Sequence, residues 1–397
     1  MKILMLVPYL PNNETSGGQT RWFNIIRYLA KQHDITLFSL IKDDSEKRFI
    51  PDLNKYCRKV RVFRRSKKPW TLRNILLSVF GPYPLLVVRN WSLEEKIAIK
   101  KELEKEKYDL IHAETFYVMP HLSKTDVPTI LVEQTIWHEV YLHHVFHNVP
   151  VLMKPFYFWD ILKVKYWEKY YWKKTDRLVA VSEDDKKEMQ KLVGSKRVGI
   201  IPNGVDSKYY KDISVKKISP PRILYGVTNF EWLQNEEATD VLVKYVWPKI
   251  KEKFPKSKIW VVGRKMPEWL KSLPEKDSNI IITENIPDAR KAYGAATIMV
   301  APIKGAGGTR LKILEAMAIG LPVVSTSIGV AGLRIENGVH AIVSDTYEGL
   351  AEGAVKLLKN PELARKIGLN GQKHVEKNYD WSKVVQLHDP LYESVLK

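Results

Sequence analysis

Short apolar runs alternate with longer stretches of helical periodicity along the whole chain. In the first half, residues 3–7, 35–39, 60–63, 110–112, 129–132, 178–181 and 198–201 read as strands. Helical patterns at 21–31, 93–106 and 182–192 lie between them. Strand–helix alternation of this kind predicts a parallel sheet with helices on both faces. Asn203-Gly204 then marks a turn, and the charged stretch 211–221, closing on Pro220-Pro221, reads as a linker. A second series follows, with strands at 223–225, 259–262, 280–282, 298–301, 322–325 and 341–343. Its helices fall at 235–253, 288–295, 310–319, 347–358 and 361–377, and a last one starts at Trp381. The pattern therefore predicts two doubly wound α/β domains in tandem, 1–210 and 211–380.

A chain of 397 residues agrees with two cores better than with one. Its 45% hydrophobic and 27% charged residues are those of a soluble globular protein. No run approaches the ~18 apolar residues that a membrane span requires. The N-terminal MKILMLVPYL has a short apolar core, lacks a small-residue cleavage site and meets Pro8 and Pro11, so it reads as a first strand and not as a signal peptide. The single cysteine, Cys57, excludes an intrachain disulfide and a cysteine-based metal site, and suits a reducing cytoplasm.

A net charge of +19 changes the picture, because it attracts anions: nucleotide sugars, phospholipids or nucleic acid. Arg58, Lys59, Arg61, Arg64, Arg65, Lys67 and Lys68 crowd into eleven residues, followed by Trp70 and the apolar stretch 75–88. Basic residues beside apolar ones suit a footing on an anionic membrane surface; a solvated loop before a core helix is the alternative. No nucleic-acid-binding module accompanies the charge, so nucleic acid is not expected as a partner. The stretch 154–174 is densely aromatic; core or interdomain packing is its expected role, with an acceptor or membrane surface as the alternative.

Candidate chemistry concentrates in KGAGGTRLKILEAMAIGLPVVST, residues 304–326. A glycine-rich loop, Gly305 to Gly308, leads into a helical pattern carrying Thr309, Arg310 and Lys312, with Glu315 one turn in. Glycine amides and a helix N-terminus bind phosphate. Lys312 and Glu315, three apart, share a face and offer a cation for phosphate and a carboxylate for hydroxyls. Such a site suits a nucleotide diphosphate joined to a sugar. Gly17 and Gly18 lie in the loop after the first strand, before the 21–31 helix. His112 and Glu114 lie just beyond a predicted strand, at its ligand-facing end, and Glu133 with the His138-Glu139 pair closes the next. Adjacent His138 and Glu139 do not share a helix face, so no metal is implied. Arg264 follows a strand in the second series.

The 304–326 segment resembles the C-terminal signature of retaining glycosyltransferases of family 4, in particular a bacterial subgroup with the signature GGTRLKILEAMA. The resemblance covers nearly the whole chain, most densely from Pro202 onward. It implies the GT-B fold, two Rossmann-like doubly wound parallel-sheet domains facing a central cleft, with residues 381–397 crossing back to the first domain. Of two family glutamates eight apart, the second matches Glu315 and the first falls on Gly307; Ala331 stands where the subgroup usually has glutamate. Trp232 and Asn235 match the subgroup's first strand–turn–helix, whereas Val227 and Thr228 occupy the stretch where the wider family offers Arg and Lys. The resemblance implies catalytic roles for His112, Arg310, Lys312 and Glu315. It implies substrate contacts at Gly17, Gly18, Arg264, Ile286, Gly307, Gly308, Thr309 and Leu311. The implied reaction is retaining transfer from a nucleotide-diphosphate sugar to a saccharide or lipid-linked acceptor, in cell-surface polysaccharide or glycolipid synthesis. It needs neither metal nor cofactor, and it implies a cytoplasmic protein, peripheral at the inner face of the membrane. A catalytically degenerate nucleotide-binding protein and a membrane scaffold are the alternatives.

Overall fold

The computed structural model describes the whole chain except residues 15, 195–196, 306–310 and 397, and the side chains of 147, 148 and 233. The chain forms two compact units, one of Met1–Pro202 with the C-terminal stretch from Val384, the other running from Asn203 to Lys383.

The first unit holds seven strands: β1 (Lys2–Val7), β2 (Asp34–Ile41), β3 (Lys59–Arg64), β4 (Leu110–Glu114), β5 (Thr129–Val132), β6 (Arg177–Ala180) and β7 (Val198–Ile200). They pair in parallel in the order β3-β2-β1-β4-β5-β6-β7. The order reverses between β1 and β4, where Met5 lies opposite His112. A parallel sheet covered on both faces needs apolar residues on both, and five of the six β1 residues are fully buried. The C-terminal helix His388–Leu396 also belongs to this unit, and Leu391 covers Gly199 of β7 so closely that a Cβ there would lie 2.7 Å from it.

Two local features differ from the sequence reading. The first helix spans Gly17–Leu29 and starts four residues earlier than its apolar periodicity indicates. Ser16 is extended and its hydroxyl accepts the Gln19 N–H, so the cap draws both glycines into the first helical turn. The basic run 58–68 is also less free than its charge suggests, since most of it lies on the edge strand β3. Arg58 pairs with Glu106 at 3.0 Å, Lys59 with Glu102 at 2.6 Å, Arg64 with Asp44 and Lys67 with Asp43. The Arg61 guanidinium lies over the Phe38 and Phe63 rings.

The second unit carries six parallel strands in the order β10-β9-β8-β11-β12-β13. These are β8 (Arg222–Asn229), β9 (Lys258–Arg264), β10 (Ile280–Glu284), β11 (Ile298–Ala301), β12 (Val323–Ser325) and β13 (Ile342–Val343). Here the order reverses between β8 and β11. β8 runs four residues past its apolar core because an irregularity between Tyr225 and Thr228 lets Thr228 and Asn229 rejoin Gly263 and Arg264 of β9. Gly226 makes that possible: its φ is +135°, and a Cβ would lie 2.1 Å from the Val262 carbonyl oxygen. The helix expected over 235–253 is interrupted by a π turn at Leu242–Val246, directly before Trp247-Pro248. Proline has no N–H to give the preceding turn and its ring crowds the carbonyl there, so the ladder widens locally.

Candidate active site

In an open α/β sheet, ligands bind beyond the strand carboxyl ends where the strand order reverses. The Leu311–Ala318 helix follows β11, at the β8/β11 reversal. Lys312 and Glu315 lie one turn apart on it. The Lys312 ammonium donates to the Tyr225 hydroxyl at 3.2 Å and to Asn235 Oδ1, and lies 4.8 Å from the centre of the Tyr225 ring. Asn235 in turn donates to the Asn229 carbonyl at 2.8 Å, fixing the start of its helix to the end of β8.

Glu315 is held from the other side. Its Oε2 accepts the Tyr293 hydroxyl at 2.9 Å, and the Tyr293 oxygen accepts the Val227 N–H at 3.0 Å. Tyr210 supplies a second hydroxyl to the carboxylate. Burial pushes the Glu315 pKa up, opposed by the Tyr293 and Tyr210 hydrogen bonds and by Lys312. A carboxylate has about four acceptor positions, so two tyrosines orient it without exhausting it. The distorted end of β8 thus gives a backbone amide to one tyrosine, and that tyrosine positions the acid.

Leu311 opens the helix as a buried core side chain. Arg264 and Ile286 lie farther along the sheet edge, at the end of β9 and just past β10. Asn285, in the left-handed region with φ 59°, turns the chain before Ile286 and donates its N–H to Gly263. Gly307, Gly308, Thr309 and Arg310 lie outside the described residues. Tyr210, Tyr225 and Tyr293 escape sequence reasoning. No local signal marks them, because each is brought in from a different element.

In the first unit, the β1/β4 reversal gathers His112, Glu114, Gln134 and the first turn of the Gly17–Leu29 helix. β4 extends through Glu114, so His112 lies within the strand and not beyond it, and it is fully buried. His112 and Glu114 are two apart and share a face. The Nε2 of His112 lies 3.1 Å from Glu114 Oε1 and its Nδ1 2.7 Å from the Tyr392 hydroxyl. Glu114 Oε2 accepts from Gln134 Nε2 at 3.2 Å. Burial would push the Glu114 pKa up, but His112, the Arg21 guanidinium and Trp22 hold it below the usual carboxylate value. Arg21 is itself anchored on the Ile201 and Pro202 carbonyls at 3.0 and 2.7 Å. A Cβ at Gly18 would lie 3.3 Å from Gln134 Oε1, so a side chain there presses on the glutamine that holds Glu114.

Glu133 and His138 are placed differently from expectation. Glu133 is fully buried, accepting the Phe116 N–H at 2.7 Å and the Trp172 indole N–H at 3.0 Å, with its pKa pushed well up by burial and by Glu168. His138 pairs with Glu168 at 2.6 Å. Both belong to the packing around the Lys154–Lys174 helix. Among the described residues no three His, Cys, Asp or Glu side chains are grouped to hold a metal ion.

Residues 15–209 match the family described as Glycosyltransferase Family 4, and residues 221–360 match that described as Glycosyl transferases group 1. The chain is 24% identical over 401 residues to an uncharacterized 44.6 kDa protein in the cps region of Klebsiella pneumoniae, covering 96% of this chain and 97% of that protein. Among solved structures, sucrose-phosphate synthase from Thermosynechococcus elongatus superposes with a TM-score of 0.72 at 16% identity, over 99% of each chain. Anabaena HepE, solved in complex with UDP-glucose, superposes with a TM-score of 0.67 at 15% identity, over 99% of this chain and 100% of that one.

The tyrosine cradle gives a pH-dependent test. The folded pKa of Glu315 is raised, so its contribution to stability is present below the unfolded value of about 4.3 and is lost as pH rises through the folded value. Tyr293→Phe removes a bond that favours the charged form, pushing that pKa further up and leaving the Val227 N–H without its acceptor. The variant should lose about 1–3 kcal/mol, with a larger deficit in melting temperature at pH 8 than at pH 5. An equal deficit at both pH values would show that Tyr293 does not govern the Glu315 charge.

Proposed function

Because this chain is a glycosyltransferase of the GT-B kind, we propose that it moves a sugar from a nucleotide-diphosphate sugar to a hydroxyl acceptor, with retention at the anomeric carbon. The observation that carries this reading is the Lys312–Glu315 pair at the reversal of the second sheet, with the carboxylate oriented by Tyr293 and Tyr210. HepE, solved with UDP-glucose on the same fold, supports a nucleotide sugar as donor.

Glu315 takes the ribose hydroxyls, and Lys312 faces the diphosphate together with Arg310 and the amides of Gly307, Gly308, Thr309 and Leu311. Arg264 adds a cation at the same sheet edge, and the backbone around Ile286 borders the nucleobase. In the first unit, Gly17 and Gly18 present amides from a helix N-terminus to the distal phosphate and acceptor. His112 acts as a positioning residue that fixes Glu114 and, through it, Gln134. The bond from the anomeric carbon to the diphosphate oxygen breaks, and the acceptor oxygen attacks the same face. The departing diphosphate takes the acceptor proton. What the protein supplies is position and stabilisation of leaving-group charge. No resident metal or cofactor enters this scheme.

The acceptor is a saccharide or lipid-linked saccharide of the cell surface, a reading supported by the relative in a cps region. We place the protein in the cytoplasm, at the inner face of an anionic membrane. No helix of the described residues is long and apolar enough to cross a bilayer. The Lys154–Lys174 helix, however, turns Phe156, Trp159, Leu162, Tyr166 and Tyr170 outward at helical spacing, with lysines 165, 169, 173 and 174 among them. Beside it, Leu152 is 89% and Phe80 83% exposed. An outward apolar stripe flanked by cations suits the interface of an anionic bilayer. It is a better footing than the ion-paired 58–68 run.

With the full chain, labelled nucleotide sugars and a mixed glycan and glycolipid acceptor pool, one donor should give a glycosylated product. Its anomeric proton coupling should show the configuration of the donor. Lys312→Met should lower kcat by about 10²–10³-fold. An inverted product would overturn retention, and donor binding without transfer would favour the degenerate reading. Vesicles containing phosphatidylglycerol should retain the wild type and release Phe156→Ser/Trp159→Ser, and 1 M salt should weaken retention where the Debye length is about 3 Å. Equal retention of variant and wild type would remove this helix from the membrane contact.

A further inference from the structure

Two guanidinium groups flank the Tyr9 phenol in the first unit. Tyr9 lies two residues past the carboxyl end of β1, Arg65 directly follows β3, and Arg89 ends the short Leu85–Arg89 helix. The Arg65 guanidinium is 4.7 Å from the centre of the Tyr9 ring, and Arg89 Nη2 lies 3.4 Å from the Tyr9 hydroxyl. A bond of 3.2 Å from the Ser66 N–H to the Arg89 carbonyl holds the two backbones together.

Their surroundings are unlike those of the nearby basic residues. Arg64 and Lys67 pair with Asp44 and Asp43, whereas among the described residues Arg65 and Arg89 meet no carboxylate. Among the described residues the Arg65 guanidinium donates to the Ser66 carbonyl at 3.4 Å and lies over the Tyr9 ring, and the groups acting on Arg89 are the phenols of Tyr9, Tyr141 and Tyr117. The Nε atoms of both arginines are buried and without a partner among the described residues. Both side chains are only partly exposed. Two partly buried guanidiniums lacking a counter-charge leave a strong demand for an anion, and the planar fork of arginine matches the oxygens of a phosphate. Tyr9 reports the same field: burial would raise its pKa, yet Arg89 and Arg65 bring it below the ordinary phenol value.

The position narrows the ligand. The Leu85–Arg89 helix is anchored by Asp160, which accepts the Leu85 N–H at 2.8 Å and the Ser78 hydroxyl at 2.7 Å. Asp160 belongs to the Lys154–Lys174 helix, next to the outward-facing Trp159. The arginine pair is thus tied to the apolar, lysine-flanked face of the unit, and it lies past the carboxyl ends of β1 and β3.

We propose that Arg65 and Arg89 form an anion site in the first unit that binds the phosphate ester of a phosphorylated acceptor. This deepens the glycosyltransferase reading and rests on it. The phosphate belongs either to a lipid-linked acceptor or to a soluble sugar phosphate.

The test is equilibrium binding to the full chain of farnesyl phosphate against farnesol, and of glucose 1-phosphate against glucose. The phosphorylated member should bind more tightly by about tenfold or more, the scale of charge-assisted hydrogen bonds. That preference should vanish in Arg65→Gln/Arg89→Gln and persist in Lys366→Gln, an exposed lysine of the second unit. A gain for farnesyl phosphate alone assigns a lipid-linked acceptor, and a gain for both assigns the phosphate itself. No preference in the wild type, or one that survives the double substitution, overturns the site. If the double variant loses its cooperative melt, Arg89→Lys, which keeps the charge without the fork, should still weaken phosphate binding, and unchanged binding there also overturns the site. An arginine-dependent preference without sugar transfer would refute the transferase reading alone. Transfer with an arginine-independent preference would refute this site alone.

Discussion

Each unit withdraws a carboxylate from water at the reversal of its parallel sheet, Glu114 fully and Glu315 in part, and much of the local structure answers the cost of doing so. An unpaired carboxylate away from water is too costly to keep, so the chain must bring donors to it. At Glu315 two tyrosine hydroxyls donate and the charge of Lys312 adds its field, and the Gly226 irregularity in β8 turns a backbone N–H toward one of the tyrosines. At Glu114 they are a histidine, a glutamine and the field of a buried arginine. The solutions differ in outcome. Glu114 is held below the usual carboxylate pKa and Glu315 above it, so the first is a fixed charge and the second is a softer one.

Most of the fold was legible because buried parallel strands are written as short apolar runs, and all thirteen observed strands overlap runs visible in the sequence. Discrepancies arise where the deciding atom is not in the apolar pattern. Ser16 moves a helix start across Gly17 and Gly18, because a hydroxyl cap outweighs the poor helix propensity of glycine. β8 continues past Tyr225 because a glycine allows a shift of register that hydrophobicity does not record. Lys312 and Glu315 were legible from their spacing. Tyr210 and Tyr293 were not, since they reach the acid from elements 105 and 22 residues upstream, a relation only the fold creates.

The surface shows the same division between local and long-range information. A run of seven cations in eleven residues looks like a single feature in sequence. In the fold, carboxylates from 43–44 and 102–106 neutralise several of them, and Arg65 is left beside Arg89 with no acid against it among the described residues. The aromatic 154–174 segment splits likewise: Tyr171 and Trp172 enter the core, while the stripe from Phe156 to Tyr170 faces outward. Helical spacing was visible in advance; which face the core would take was not.

The central claim is that Glu315, oriented by its tyrosines, belongs to a nucleotide site in the second unit. The most direct measurement is the melting temperature of the purified chain with UDP, GDP, ADP or CMP at concentrations well above expected dissociation constants. A ligand that binds only the folded state raises the melting temperature. The account predicts a clear rise with one nucleoside diphosphate in the wild type and a much smaller one in Glu315→Ala. No rise with any nucleotide in the folded wild type, or an equal rise in Glu315→Ala, would contradict it.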